Sequence, residues 1–148
     1  MTFIKIKVTQ MLTNHFNLWN TEKQKIHFEN EKSFYVKPRD IWFVKMGQNI
    51  GYEENGKKDF KRPVLVIKIV GNLIFTIAMT SQIKYNNRFY YLLQKPHFND
   101  KHKHNSKNSY LILSQVKMMD KKRFIEKMGY VEQIEFKNIK EKLKALIL

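Results

Sequence analysis

Two apolar runs, Pro63–Val70 and Leu73–Thr80, are separated only by Gly71-Asn72, and this pairing restricts the fold more than any other feature of the chain. Both runs are rich in β-branched and aromatic residues, which suit a pleated, partly buried surface. A Gly-Asn link leaves no length for a crossover helix, so the runs must turn back on each other as an antiparallel hairpin. That geometry brings Arg62 and Thr80, at the two open ends, to the same end of the hairpin.

Further short strands are expected around it. Asp40–Met46 is strand-like, Asn87–Gln94 carries Phe89, Tyr90 and Tyr91, Ser109–Gln115 is apolar, and Ile125–Val131 reads as a last strand. Gly47–Lys61 holds three glycines among polar residues and reads as a long loop. Asp120–Phe124 reads as a short helical turn. From Gln133 the period changes: Phe136, Ile139, Leu143 and Leu146 share one helical face, with Lys137, Lys140, Lys142 and Lys144 outside it. The pattern predicts a mainly β, α+β fold, a small curled β-barrel with helices packed against it.

Residues 1–35 read as an extension and residues 36–148 as the compact domain. Within the extension, Phe3–Val8 alternates like a strand, and Thr13 is placed to cap a helix running to about Asn30, with Phe16, Trp19 and Ile26 on one side. Lys95–Asn108 is polar and basic and is expected to be mobile.

With 43% hydrophobic residues in 148, one core can be filled without a staple. The absence of cysteine excludes disulfide scaffolds, thiol nucleophiles and cysteine zinc sites, and agrees with a cytoplasmic location. The most apolar stretch, Val64–Met79, is interrupted by Lys68 and the Gly71-Asn72 turn and is too short for a membrane span. No secretory signal is read at the N-terminus. His97, His102 and His104 have no fourth ligand near them in sequence, so no metal site is assigned. The net charge of +15 is spread along the chain, and such a field favours polyanions: nucleic acid or an acidic protein.

Six short segments then occur in a telling order. They are Asp40-Ile41-Trp42-Phe43-Val44, Gly51-Tyr52-Glu53, Arg62-Pro63-Val64-Leu65-Val66, Met79-Thr80-Ser81-Gln82, Leu113-Ser114-Gln115-Val116-Lys117 with Asp120-Lys121-Lys122-Arg123, and Lys127-Met128-Gly129. Together they resemble the PemK/MazF toxins over roughly residues 36–148. The resemblance implies an SH3-like barrel and metal-independent cleavage of single-stranded RNA, with no cofactor. It also implies a homodimer and an acidic cognate antitoxin. It places Arg62 and Thr80 at the catalytic positions, Glu53 at the loop acid and Gln115 at a substrate contact. Lys61, Ser81, Gln82, Lys84 and Lys117 are further candidate RNA contacts around them. The chain departs from the family's common pattern in its long Gly47–Lys61 loop, in Tyr52 where serine is frequent and in Lys117 where arginine is frequent.

The residue types suit that chemistry. A residue before proline is held extended, so Arg62 stands stiffly where a loop meets a strand, able to fork onto two phosphate oxygens. The Thr80 hydroxyl can donate to a phosphate oxygen. Glu53 can accept the 2′-hydroxyl proton or orient Arg62. Lys95, Lys101, Lys103 and Lys107 could follow RNA phosphates, and Tyr85, Phe89, Tyr90 and Tyr91 could stack on bases. Two alternatives remain at this point: an RNA-binding protein without catalysis, and a gyrase inhibitor of the CcdB type on the same fold.

Overall fold

The computed structural model describes residues 2–84 and 87–148. The elements run α1 (Phe3–Phe28), β1 (Asp40–Lys45), β2 (Lys61–Val70), β3 (Leu73–Thr80), β4 (Tyr90–Leu92), β5 (His97–Phe98), β6 (Tyr110–Asp120), β7 (Phe124–Tyr130) and α2 (Gln133–Ile147). Single 3₁₀ turns lie at Lys58–Phe60 and Lys121–Arg123, and a longer one at Asp100–Asn105. The strands form one antiparallel sheet in the order β4-β6-β3-β2-β1-β7-β5. The architecture is α+β, as expected, but the sheet is not closed into a barrel. Its edges, β4 and β5, have three and two residues, too few to lay a ladder across the remaining gap.

The central hairpin forms through the expected turn: Gly71 has φ +61, Val70 pairs with Leu73, and Val64 pairs with Ala78. A register shift between Val66 and Lys68 marks the end of the buried part, and Lys68–Val70 are exposed. Alternation sends side chains to two cores. Ile41, Leu65, Ile77 and Met79 face one side, where Phe136, Ile139 and Leu143 of α2 cover them. Trp42, Val44, Val64, Val66 and Ala78 face the other, joined by Ile112, Met119 and Phe124 and flanked by Phe34 and Val36. β1 and β2 are buried on both faces, which is why they read as nearly continuous apolar runs.

The N-terminal reading requires correction. Phe3–Val8 is helix, not strand; α1 begins there, and the Thr2 hydroxyl accepts from the Lys5 amide at 3.3 Å as its cap. Thr13 lies mid-helix and donates to the Thr9 carbonyl at 2.9 Å. An Ile-Lys alternation satisfies strand periodicity, but among the described residues no strand pairs with it. Extending an existing helix needs no new nucleus, so the segment joins the one that follows.

The segment after β4 also differs from expectation. Asn87–Gln94 supplies only the three-residue strand β4, and Lys95–Asn108 is structured. β5 pairs with β7, and His102 and Phe98 are buried. Glu135, in the first turn of α2, holds the start of this segment: it accepts from the Tyr91 hydroxyl at 3.1 Å and from the Lys95 amide at 3.2 Å. Burial, with the Glu135 charge behind it, pushes the Tyr91 phenol up to about 12.

Candidate active site

Arg62 is the second residue of β2 and is only 5% exposed. Val64 pairs with Ala78, and Arg62 and Thr80 each lie two residues beyond that pair towards the open end of the hairpin. All three guanidinium nitrogens are engaged. Nη1 donates to the Met79 carbonyl at 2.9 Å, Nε donates to the Asn55 carbonyl, and Nη2 forms a 2.7 Å ion pair with Glu54. Burial pushes the guanidinium below the ordinary arginine range, and the Glu54 charge opposes that shift. The strand end thus fixes one nitrogen, while the loop between β1 and β2 covers the other two.

Arg62 and Thr80 share a cleft of about 420 Å³ with Lys61 and Ser81. Its floor is apolar, including Phe43, Pro63, Met79 and Met128, and Lys57 and Lys58 stand on its rim. The Thr80 hydroxyl is buried and accepts from the Gln82 amide at 3.2 Å, and among the described residues it donates to no partner. A second cleft, on the far side of the covering loop, collects Glu53, Glu54, Gln115 and Lys117. Gln115 spans strand and loop: its Nε2 donates to the Tyr52 carbonyl at 2.8 Å and its Oε1 accepts from the Glu54 amide at 3.0 Å. Burial pushes the Lys117 ammonium down, aided by Arg123 and opposed by Glu53.

The candidate residues therefore fall into two groups. Arg62, Thr80, Lys61 and Ser81 line one cleft, and Glu53, Gln115 and Lys117 the other, with the Arg62–Glu54 pair between them. Gln82 is exposed beside Thr80, and the Lys84 ammonium sits 5.2 Å from the centre of the Tyr90 ring. Tyr91 turns towards Glu135, and Tyr85 lies outside the described residues. Of the lysines after β4, Lys101 pairs with Glu126 at 3.1 Å and Lys103 with Asp100 at 2.8 Å. His97 pairs with Glu132, whereas His102 is buried near Glu126.

The carboxylate that grips Arg62 is Glu54, which the sequence reading passed over in favour of Glu53. No ion pair or hydrogen bond joins Glu53 to Arg62 among the described residues, and Glu53 is exposed. Nothing in a Glu-Glu dipeptide within a loop distinguishes its members; loop geometry decides which one turns inward. Asn49 and Asn55 were also missed. The Asn49 amide group donates to the Glu54 carbonyl at 2.7 Å, and the Asn49 backbone amide donates to the Asn55 side chain.

Residues 37–147 match the family of PemK-like, MazF-like toxins of type II toxin–antitoxin systems. The chain belongs to this family. No curated protein sequence matches it. Among solved structures, MazF from Deinococcus radiodurans superposes with a TM-score of 0.61 at 16% identity, covering 78% of this chain and 98% of that one. An endoribonuclease from a mycobacterial species, in complex with its cognate antitoxin, superposes with a TM-score of 0.51 at 10% identity, over 75% of this chain and 93% of that one. The Deinococcus MazE–MazF complex gives 0.52 at 18% identity, over 77% and 97%. These likenesses are those of a shared fold. In this PemK/MazF-type chain the matched segment holds both clefts and begins after α1, which ends at Phe28. Among the described residues no helix is long and apolar enough to cross a membrane.

Proposed function

We propose that this toxin cleaves single-stranded RNA at Arg62 and Thr80, without a metal. The observation that carries the reading is the Arg62 fork, held at the hairpin's open end beside Thr80 with a carboxylate seated on it at 2.7 Å. Glu54 meets Nη2 through one oxygen, with Nη1 and Nε held by backbone carbonyls, and a phosphate oxygen can take the same place on Nη2. When RNA displaces Glu54, Arg62 gains the scissile phosphate and the Thr80 hydroxyl lies in the same cleft to donate to its oxygens. The RNA 2′-oxygen attacks its own phosphorus, the bond to the 5′-oxygen breaks, and a 2′,3′-cyclic phosphate and a 5′-hydroxyl result. Glu53, which lies in the second cleft across the Arg62–Glu54 pair, takes the 2′-hydroxyl proton once the loop has moved off Arg62, and water returns one to the leaving oxygen. Arg62 stabilises the extra charge of the transition state, and Lys61, Ser81, Gln82, Lys84, Gln115 and Lys117 contact the strand on either side.

The natural inhibitor in this reading is an acidic, partly disordered antitoxin laid across the same clefts of a toxin homodimer. The family description, the antitoxin complexes of structural relatives and the +15 charge support it. The test of function is incubation of purified protein with total RNA in EDTA, followed by mapping of new 5′ ends. Defined cleavage products with 5′-hydroxyl ends are expected. Cleavage of a matched DNA strand, which lacks the attacking hydroxyl, or complete loss of activity in EDTA would overturn the reading.

A further inference from the structure

α1 lies outside the segment that matches the toxin family, yet the loop over Arg62 is built against it. The loop leaves β1 at Met46-Gly47 and returns through Asp59-Phe60, and Trp19 of α1 meets both ends. Gly47 has φ +90, and a Cβ there would lie 2.2 Å from the Trp19 ring, so the indole occupies the space a side chain would need. At the other end the Phe60 ring packs between His15 and Trp19, with centroids 4.6 Å and 5.3 Å away. The amides of Met46 and Gly47 both donate to the Phe60 carbonyl, at 2.8 Å and 3.2 Å, and tie the two ends together.

The backbone at the return end is strained. Asp59 and Phe60 have φ of 54 and 60, a region where a bulky residue needs outside support. α1 supplies that support. Glu22 pairs with Lys45 at 3.2 Å, and the same ammonium donates to the Asp59 carbonyl at 2.8 Å. The Arg123 guanidinium lies 5.7 Å from the Trp19 ring centre and donates to the Lys45 and Met46 carbonyls. The loop thus closed places Glu54 and Asn55 on Arg62.

We infer that Trp19 is a positioning residue for the cleavage reaction, and that α1 sets how readily the loop leaves Arg62 for RNA. The inference rests on the proposed role of Arg62 in binding the scissile phosphate. A protein whose binding-competent form is a minor one binds with an affinity reduced by that fraction. Removing the clamp raises the fraction of open loop and so tightens RNA binding, while Arg62 and Thr80 keep their places on β2 and β3.

The experiment compares wild type with Trp19→Ala, Trp19→Phe and Gly47→Ala, the last pushing on the indole from the loop side. Native-state hydrogen exchange is measured at the Gly56 and Lys57 amides, which donate to the Gly47 and Lys61 carbonyls. These amides are expected to exchange at least about tenfold faster in Trp19→Ala, while amides of Val66 and Ile112 in the sheet keep their wild-type rates. In cleavage of an RNA oligonucleotide, KM is expected to fall by roughly threefold or more with kcat within about twofold, and Trp19→Phe to restore wild-type values. Should Trp19→Ala unfold, Gly47→Ala carries the same expectation. Equal acceleration across loop and sheet, or an unchanged KM, would overturn the inference. If wild-type protein cleaves no RNA, the proposed function fails, while the exchange pattern still decides whether α1 holds the loop.

Discussion

Arg62 stands between two regions held together by different means. The β2–β3 hairpin behind it is fixed by a backbone ladder and by side chains buried on both faces. The loop from Gly47 to Phe60 in front of it has only a few backbone hydrogen bonds and relies on side chains: Trp19 at its ends, Gln115 and Asn49 along it, and Arg62 itself. A ladder opens cooperatively and rarely. A loop held by individual polar contacts, each contributing about 1 kcal/mol net, opens far more readily. Placing an arginine between the two gives a rigid anchor with a removable cover, as a site that must exchange a carboxylate for a phosphate requires.

The comparison can be broken most strongly on the hairpin side. Leu65 is fully buried beneath α2, and Leu65→Ala should lower the free energy of unfolding by about 2–5 kcal/mol in urea titration. Cleavage well below the melting temperature should persist, because the end of the hairpin stays paired. Loss of cleavage without loss of folding would show that the anchor is not rigid.

Arg62→Lys acts at the boundary. Lysine keeps the charge but cannot supply parallel donors, so cleavage should slow at least about 100-fold. RNA affinity should stay within about tenfold, since one phosphate contact is a small share of the total. Lys61→Ala serves as the neighbouring control and should remain active. A near wild-type rate for Arg62→Lys would reduce Arg62 to a diffuse positive charge.

Gln115→Ala tests the cover. It removes two hydrogen bonds to the loop, at Tyr52 and Glu54, and should accelerate amide exchange in residues 52–57 while lowering the unfolding free energy by no more than about 1–2 kcal/mol. A large drop in global stability would mean that loop and hairpin form one cooperative unit.

The smallest expected effect lies in the 3₁₀ turn at Asp100–Asn105. His102 is buried there against the Phe43 ring, and burial lowers its affinity for a proton, opposed by Glu126 and assisted by Lys101 and His104. The native state therefore binds this proton less readily than the unfolded chain. Its contribution to stability is complete above a pH of about 6.5 and is lost as pH falls through the lowered native value. Melting between pH 7.5 and pH 5 (about one unit above and somewhat below that reference value) should show a smaller decline in His102→Phe than in wild type. Equal declines would place the acid sensitivity elsewhere.

Much of this could be read from the amino acids alone. The hairpin was legible because Gly71-Asn72 between two β-rich runs admits one local solution, and the hairpin sets Arg62 beside Thr80. α2 was legible because its apolar residues recur at helical spacing. These features depend on near neighbours in the chain, where steric and periodic rules act directly. Other features depended on what lay opposite. Phe3–Val8 became helix, with no strand among the described residues beside it, and the polar segment after β4 became ordered because Glu135 and β7 received it. Glu54 displaced Glu53 at Arg62 because the path of a loop between two strands decides which of two adjacent carboxylates turns inward. Trp19 found its place against Gly47 and Phe60, some thirty to forty residues further along the chain. Composition and periodicity carry no information about such distant pairings, since each is chosen by the space that the completed sheet leaves open.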